Sequence, residues 1–142
     1  MSVAAEVPFC EQSGVIAYRL GESGKPELVL VSSRNGSHWV IPKGLVESGM
    51  TPLDSAIKEA FEEAGVRVVP VDVPPVGAYL YSKWRTDFHV KVFLGRVTEV
   101  LETWPERFRK RQWLSVSAAA AKVDEPKLKD IISSVEFLIP PG

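Results

Sequence analysis

The chain has 142 residues, the length of one ordinary domain and short for two, so we expect a single domain over residues 1–142. Hydrophobic residues make up 45% of the chain and charged residues 25%, a composition that excludes a disordered protein. Lys and Arg total 17 against 18 Asp and Glu, and a formal net charge of −1 gives no general attraction to nucleic acid or to an acidic membrane.

The N-terminal segment and the cysteine content indicate the compartment. The segment MSVAAEVPFC lacks the basic start and the unbroken apolar run of a signal peptide. No apolar run in the chain approaches the length that spans a membrane. Cys10 is the only cysteine and cannot form an internal disulfide. We therefore expect a soluble protein of a reducing compartment, the cytoplasm.

The first part of the chain has the pattern of β-structure. Residues 13–20 and 26–33 are rich in apolar and β-branched side chains, and the turn sequence GESGK separates them, which predicts a β-hairpin. A second turn at 34–38 leads to a short predicted strand at 39–42. Residues 43–52 contain two glycines and predict a loop.

From Leu53 the apolar side chains recur with the i, i+3, i+4, i+7 spacing of an amphipathic helix. Its apolar positions are Leu53, Ala56, Ile57, Ala60, Phe61 and Ala64. Thr51 is the expected N-cap, Pro52 suits the first helical position, and Gly65 suits the C-terminal stop. The ends and the buried face of this helix are therefore both predicted from local sequence.

The remaining elements complete a mixed fold. Residues 66–71, 76–84, 87–100 and 109–116 predict strands, and residues 117–123 and 126–138 have helical composition. Strands interleaved with two or three helices indicate an α/β or α+β domain with a mixed sheet.

Three acids crowd one flank of the predicted helix. Glu59, Glu62 and Glu63 are spaced i, i+3 and i+4, and each like-charged pair costs roughly 0.2–0.5 kcal/mol on an exposed helix. Lys58 is expected to pair with Asp54, which leaves it only partly available to Glu62. A divalent cation would remove the repulsion, and carboxylate oxygens select Mg²⁺, Ca²⁺ or Mn²⁺ over zinc. The alternative is an acidic helix face that water solvates.

Together with its flanks this segment, GLVESGMTPLDSAIKEAFEEAGV at residues 44–66, resembles the Nudix box. The matching positions are Gly44, Glu59, Ala60, Glu62, Glu63, Gly65 and Val66. Two positions depart from the pattern: Met50 stands where the family has a Glu, and Lys58 stands where it has an Arg. Lys58 keeps the charge but loses the planar fork of arginine. Glu47, in the same loop, either replaces the missing carboxylate in part or is a solvated loop residue.

The resemblance implies a Nudix-type α/β/α sandwich, with a mixed β-sheet between helices, and a metal-dependent pyrophosphohydrolase. Carried over position by position, Glu59 and Glu63 are expected metal ligands, with Glu59 also part of the catalytic set. Glu62 is expected to be a ligand or the base that activates water, and the carbonyl of Lys43 a further metal contact. The implied cofactor is Mg²⁺ or Mn²⁺.

The flanking segments at 30–44, 97–106 and 109–116 are similar to the diphosphoinositol polyphosphate and diadenosine polyphosphate phosphohydrolases. That similarity implies that the substrate is a small-molecule polyphosphate. The residues expected to contact its phosphates are Ser33, Arg34, Arg85, Arg109 and Arg111. Lys43, in the sequence PKG, resembles the diadenosine enzymes, and Glu125 stands where the inositol enzymes carry a lysine. The choice between the two substrates stays open.

Other interpretations remain. The substrate is alternatively another nucleoside-diphosphate-linked compound, or the chain is a non-catalytic phosphate-binding module, which Met50 and Lys58 motivate. The basic residues at 107–111 fit a solvated edge strand as well.

We expect His38 and His89 to be a turn residue and a strand residue. The tryptophans at 39, 84, 104 and 113 are expected to pack in the core or on the sheet, and one of them near the site could stack on adenine.

Overall fold

The computed structural model describes residues 9–71 and 74–140, so residues 1–8 of the N-terminal segment considered above lie outside it. Within the described ranges the chain forms eight strands and three α-helices. The strands are β1 Phe9–Leu20, β2 Pro26–Ser32, β3 Trp39–Val40, β4 Lys43–Leu45, β5 Val66–Pro70, β6 Gly77–Lys83, β7 Thr86–Val100 and β8 Arg111–Ser115. The helices are α1 Pro52–Glu59, α2 Val116–Lys122 and α3 Pro126–Val135. Among the described residues no helix combines the length and the apolar character needed to cross a membrane.

All eight strands join one sheet. Its main path runs β3-β2-β1-β7-β5, with β4 on β1, β6 on β7 and β8 on β2. The central pair, β1 and β7, is parallel from Phe9↔Asp87 to Tyr18↔Arg96, and every other pairing is antiparallel. The predicted mixed sheet is therefore confirmed.

Two apolar cores cover the two faces of the sheet. Because side chains alternate along a strand, Val15 and Ala17 of β1 pack with the α1 side, where Ala56 is fully buried. Ile16, one position along, packs with the residues of α2 and α3 on the opposite face. The sheet thus lies between α1 on one side and α2 with α3 on the other, and the expected α/β/α sandwich is confirmed.

The ends of α1 lie where the local sequence predicts them. Thr51 Oγ1 accepts a hydrogen bond from the amide of Asp54 at 3.1 Å, Pro52 opens the helix, and Gly65 ends it with φ of 64°. The last turn, Ala60–Ala64, differs from the prediction because it is π-helical. There the amide of Gly65 donates to the carbonyls of both Ala60 and Phe61. Such wide turns often occur at functional sites.

The structure also corrects two predicted boundaries. Residues 43–45, predicted as part of a loop, form β4 and pair with β1 through Gly14↔Lys43 and Gln12↔Leu45. The strand predicted from 109 begins only at Arg111, so Arg109 precedes it. The first difference places the backbone of β4 beside α1, and the second leaves the backbone of residues 109–110 bonded to Glu106 and to Ser32 of β2.

Candidate functional site

A cavity of about 930 Å³ lies between several loops and strands, a volume typical of small-molecule sites. Its wall is formed by the β2–β3 loop, β4, the π-helical turn, the β6–β7 hairpin, the segment before β8 and the α2–α3 loop. Elements from both faces and from the sheet itself therefore meet at one place.

Three carboxylates converge next to this cavity. Oxygen atoms of Glu59, Glu62 and Glu106 all lie within 4.8 Å of one another. Glu106 comes from the segment between β7 and β8 and is held by two contacts: its amide donates to the carbonyl of Glu62 at 2.9 Å, and its Oε1 accepts from Arg109 Nε at 3.1 Å. The sequence analysis did not single out Glu106. In the sequence, Glu106 is marked only by its place at the end of segment 97–106, which is similar to the polyphosphate phosphohydrolases.

Glu63 lies deeper than the other acids and lines the cavity wall with a residue exposure of 6%. Its Oε1 accepts the amide hydrogen of Lys43 at 3.2 Å, and its Oε2 lies 3.8 Å from Arg109 Nη2. Burial raises the pKa of Glu63 well above its usual range; Arg109 opposes the rise and the neighbouring Glu59 adds to it. Keeping this carboxylate charged is therefore costly without a further cation.

The charged form of Glu59 is disfavoured for the same reason. Burial raises the pKa of Glu59, and the carboxylates of Glu62 and Glu106 contribute to the rise. The backbone of β4 closes over this side chain at Gly44, where an added Cβ would lie 2.5 Å from Glu59 Cδ. Only glycine permits that approach, which explains sterically why this position of the box carries no side chain.

Lys58 connects the acidic helix to the loop before it. Lys58 Nζ lies 2.6 Å from Glu47 Oε1 and 3.3 Å from Glu62 Oε1. The expected pairing with Asp54 is therefore wrong, because Lys58 takes these two partners instead. The lysine at the box arginine position still contacts a box glutamate, and Glu47 is tied to that lysine.

The donor set fits a hard divalent cation. Every candidate ligand in the cluster is a carboxylate oxygen, the donor type that Mg²⁺ and Mn²⁺ prefer over softer metals. The four acids that crowd this region, Glu59, Glu62, Glu63 and Glu106, carry more negative charge than Lys58 and Arg109 neutralise. The amide contact from Lys43 to Glu63 also places the backbone of that residue, the predicted carbonyl ligand, beside the acids.

Two of the predicted phosphate contacts lie on the cavity wall with limited other roles. Ser33 Oγ donates to Asn35 Oδ1 at 2.8 Å and accepts the amide hydrogen of His38 at 3.1 Å, so it orders the β2–β3 turn. Arg34 extends into solvent with 78% of its side chain exposed, and its Nη2 lies 3.8 Å from Glu106 Oε1. Its guanidinium is therefore available at the edge of the acidic cluster.

Arg109 also lines the cavity but is committed to protein partners. Its side chain is only 10% exposed. Nη1 donates to the carbonyl of Ser32 at 3.0 Å, and Nε and Nη2 face Glu106 and Glu63. Arg109 thus fixes the separation of two carboxylates.

Arg111 and Arg85 lie elsewhere, outside the residues that form the cavity wall. Arg111 Nη1 donates to the carbonyls of Ala64 at 2.9 Å and Gly65 at 3.3 Å, and its guanidinium stacks 4.1 Å from the ring centroid of Trp104. It therefore holds the C-terminal end of the π-helical turn. Arg85 is exposed in the turn of the β6–β7 hairpin.

The cavity wall contains aromatic side chains as well as charged ones. Trp39, Tyr79, Tyr81 and Trp84 contribute to the wall. Lys43 Nζ donates to Tyr81 Oη at 3.0 Å, and that hydroxyl donates to Gln12 Oε1 at 2.8 Å.

The other two tryptophans pack as expected. Trp104 donates to the carbonyl of Glu63 at 3.0 Å, and Trp113 lies under Arg19 at 3.8 Å. The histidines are a turn residue and a strand residue, as predicted, and each contacts an acid: Asp124 for His38 and Glu11 for His89.

A family model described as NUDIX domain matches residues 11–135. Nudix hydrolase 12, mitochondrial, from Arabidopsis thaliana is 37% identical over 128 residues, covering 75% of this chain and 63% of the relative. Diphosphoinositol polyphosphate phosphohydrolase 2 from Homo sapiens is 31% identical over 114 residues, covering 78% and 61%. The chain thus spans just under two thirds of the length of these curated relatives.

The fold is shared with solved structures. The crystal structure of the C. elegans Ap4A hydrolase has a TM-score of 0.75 and 21% identity, covering 92% of this chain and 96% of that one. The MutT protein from Methanosarcina mazei Go1 gives a TM-score of 0.72 at 20% identity, covering 95% and 98%. At these identities the likeness concerns the fold.

Proposed function

The chain belongs to the NUDIX domain family, and on that premise we propose that it is a metal-dependent hydrolase of a phosphoanhydride bond. The proposed substrate is a diadenosine polyphosphate or a diphosphoinositol polyphosphate, and the proposed cofactor is Mg²⁺ or Mn²⁺. A relative named for diphosphoinositol polyphosphate and a fold neighbour titled Ap4A hydrolase support these two substrate classes.

The observation that carries the proposal is the carboxylate cluster next to the cavity. Three acids place oxygens within 4.8 Å of one another, and Arg34, a cavity residue, reaches 3.8 Å from one of them. A phosphate chain needs positive charge on its oxygens, and a cation on the carboxylates together with Arg34 would provide it from two sides.

The proposed roles follow from the positions of the side chains. Glu59 and Glu63, with the carbonyl of Lys43, are proposed to hold the cation. Glu62 and Glu106, whose carboxylates converge with that of Glu59, are further candidate ligands, and Glu106 is the one that the structure adds. A bound divalent cation would neutralise charge on the phosphates and orient them for attack by water. Besides its place among the candidate ligands, we assign Glu62, whose side chain is 29% exposed, the task of accepting the proton from that water.

The substrate contacts divide into two groups. Ser33 and Arg34 lie on the cavity wall and are proposed to bind phosphate oxygens directly. Arg109 is proposed to act by positioning Glu63 and Glu106 as well as by its charge. Arg85 and Arg111 stay sequence-based predictions that the lining of the cavity does not support.

The alternative functions rest on the two departures from the box. Met50 removes a carboxylate, but Glu106 brings one to the cluster from another segment. Lys58 lacks the arginine fork, but it still contacts Glu62 at 3.3 Å. These contacts favour an enzyme over a non-catalytic phosphate-binding module, and another nucleoside-diphosphate-linked compound remains the second substrate candidate.

A phosphate-release panel tests the proposal. Purified protein is incubated with diadenosine polyphosphates, inositol pyrophosphates, nucleoside triphosphates and dinucleotide cofactors, with Mg²⁺, with Mn²⁺ and with chelator. We expect metal-dependent release from one of the first two classes. Binding of these compounds without product at every metal concentration would identify the module instead.

The cytoplasmic location stays a prediction, since relatives carry the word mitochondrial in their names.

A further inference from the structure

The turn of the β6–β7 hairpin is strained at a large aromatic residue. Trp84 has φ of 52° and Arg85 has φ of 60°, both in the left-handed region that favours glycine. Two-residue hairpin turns with positive φ at both positions are ordinarily built from Asn-Gly or similar pairs. Closing the hairpin therefore does not explain why a tryptophan occupies this position.

Folding gains little from this ring. Trp84 is 85% exposed, so it removes almost no apolar surface from water, yet it belongs to the wall of the cavity. Lys83 Nζ lies 4.5 Å from the centroid of the Trp84 ring and places a cation beside it. An exposed ring at a cavity mouth, held there against the backbone preference, is suited to stacking on a ligand.

The cavity wall also carries groups that suit a nucleobase. The cavity wall contains a second tryptophan, Trp39, and the acids Asp124 and Glu125 of the α2–α3 loop. A nucleobase would offer a flat face to the tryptophans and amino groups that can donate to carboxylates.

We propose that Trp84 is a stacking platform for an aromatic base of the substrate, so that the cavity selects a nucleoside-bearing polyphosphate over an inositol pyrophosphate. This inference rests on the proposed function for its reaction, and it adds a specificity-determining residue to it. The phosphate chain would lie toward Arg34 and the carboxylate cluster, and the base against Trp84.

Steady-state kinetics test the platform. For Trp84→Ala, KM for diadenosine tetraphosphate is expected to rise about tenfold with kcat within about twofold, because base stacking on an aromatic ring has about that weight. Trp84→Phe should recover most of the affinity. KM for a diphosphoinositol polyphosphate should not change. The matched control is Phe137→Ala, which removes an 89% exposed aromatic ring that follows α3 and lies outside the cavity wall; its kinetics should match those of wild type.

A fourth variant separates binding from folding. Trp84→Gly removes the ring and also suits the positive φ, so its Tm should equal or exceed that of wild type while KM for the dinucleotide still rises about tenfold. A KM increase seen only in variants of lowered Tm would make Trp84 a structural residue and overturn the proposal.

Calorimetric titration with AMP in chelator does not depend on turnover. If AMP binds about tenfold more weakly to Trp84→Ala than to wild type, the platform stands even where the release panel shows no hydrolysis, and only the proposed reaction fails. If the wild type hydrolyses a polyphosphate but Trp84→Ala binds AMP as tightly and shifts both substrates equally, the platform is wrong and the reaction stands.

Discussion

At the residue scale, the fold places the carboxyl group of Glu63 in an environment that disfavours its charged form. Its carboxyl group is nearly buried and lies beside Glu59, and its pKa is raised mainly by that burial. A raised pKa in the folded state means that the folded protein binds its proton more tightly than the unfolded chain does. Metal-free protein therefore loses stability as pH rises above the unfolded pKa of about 4.3 and through the higher folded value.

Glu63→Gln should remove this loss. In chelator at pH 8 the variant is expected to have a free energy of unfolding higher than wild type by roughly 1 kcal/mol or more, since one pKa unit corresponds to about 1.4 kcal/mol. Near pH 4, below the unfolded pKa, the wild-type carboxyl group is largely protonated in both states, so the two should be nearly equal. Urea unfolding at both pH values measures the difference, with the exposed Glu102→Gln as control. An equal gain at both pH values would contradict the assigned cause.

Glu62 has a different environment, because its side chain is 29% exposed and contacts Lys58. Glu62→Gln keeps the shape but cannot accept a proton, so kcat should fall by about 10²–10⁴-fold while Tm stays near that of wild type. Phosphate release at saturating substrate and magnesium measures the loss, again beside Glu102→Gln. Turnover close to wild type would remove Glu62 from the role of base.

At the element scale, the π-helical end of α1 depends on Arg111. One guanidinium nitrogen donates to the carbonyls of Ala64 and Gly65, which the helix itself leaves without partners. Arg111→Ala should lower the free energy of unfolding by about 1–3 kcal/mol, the cost of leaving the carbonyl of Ala64 unpaired. The carbonyl of Gly65 keeps a second donor, the amide of Leu101 at 2.8 Å. Lys110→Ala, which truncates the exposed neighbour, should have little effect.

The same variant decides between two roles for Arg111. If it only supports the helix end, KM should change by the same factor for substrates with three, four or five phosphates. A KM that rises with phosphate number, at unchanged stability, would instead support the phosphate contact expected from sequence.

The elements also show what local sequence can and cannot predict. Thr51, Pro52 and Gly65 mark the ends of α1 because caps act within one turn of chain, and these were predicted correctly. The residues AFEEA carry no local signal for a π-helical turn. The short β4 exists because β1 pairs with it, a contact between distant segments.

The segment before β8 shows the same limit of local sequence. The predicted strand began at residue 109, and the resemblance implied that Arg109 and Arg111 both contact phosphate. The strand begins at Arg111, and the amide of Arg109 donates to the carbonyl of Glu106 in a turn. The two side chains therefore take different partners: Arg109 contacts Glu63 and Glu106, and Arg111 contacts the carbonyls of Ala64 and Gly65. Period-two reasoning holds only inside a strand. Glu106 was missed likewise, since only the tertiary fold brings it to Glu62.

At the scale of the whole molecule, the candidate cation site joins parts of the chain that are remote in sequence. β4 supplies the amide that contacts Glu63, α1 and its last turn supply three acids, and the segment before β8 supplies Glu106 and Arg109. Like charges gathered in this way oppose folding, so a cation that relieves them must stabilise the entire domain rather than one helix.

Magnesium should therefore raise the global stability of the protein. At about one hundred times its Kd, a ligand that binds only the folded state adds ~2.7 kcal/mol to the free energy of unfolding. Thermal unfolding in Mg²⁺ against chelator measures this gain, with KCl at equal ionic strength to correct for screening. Glu59→Gln/Glu62→Gln should lose most of it, because two of the three converging carboxylates are gone.

The matched control is Glu99→Gln/Glu102→Gln, which removes the same charge from exposed positions, one of them paired with Arg67. It should keep the full response to magnesium. A response that KCl reproduces, or that both double variants retain equally, would mean that the ion acts on the overall charge and not at the cluster. A response confined to proteins with the cluster intact would tie the crowded acids to a single bound cation, which is the condition on which the proposed hydrolysis depends.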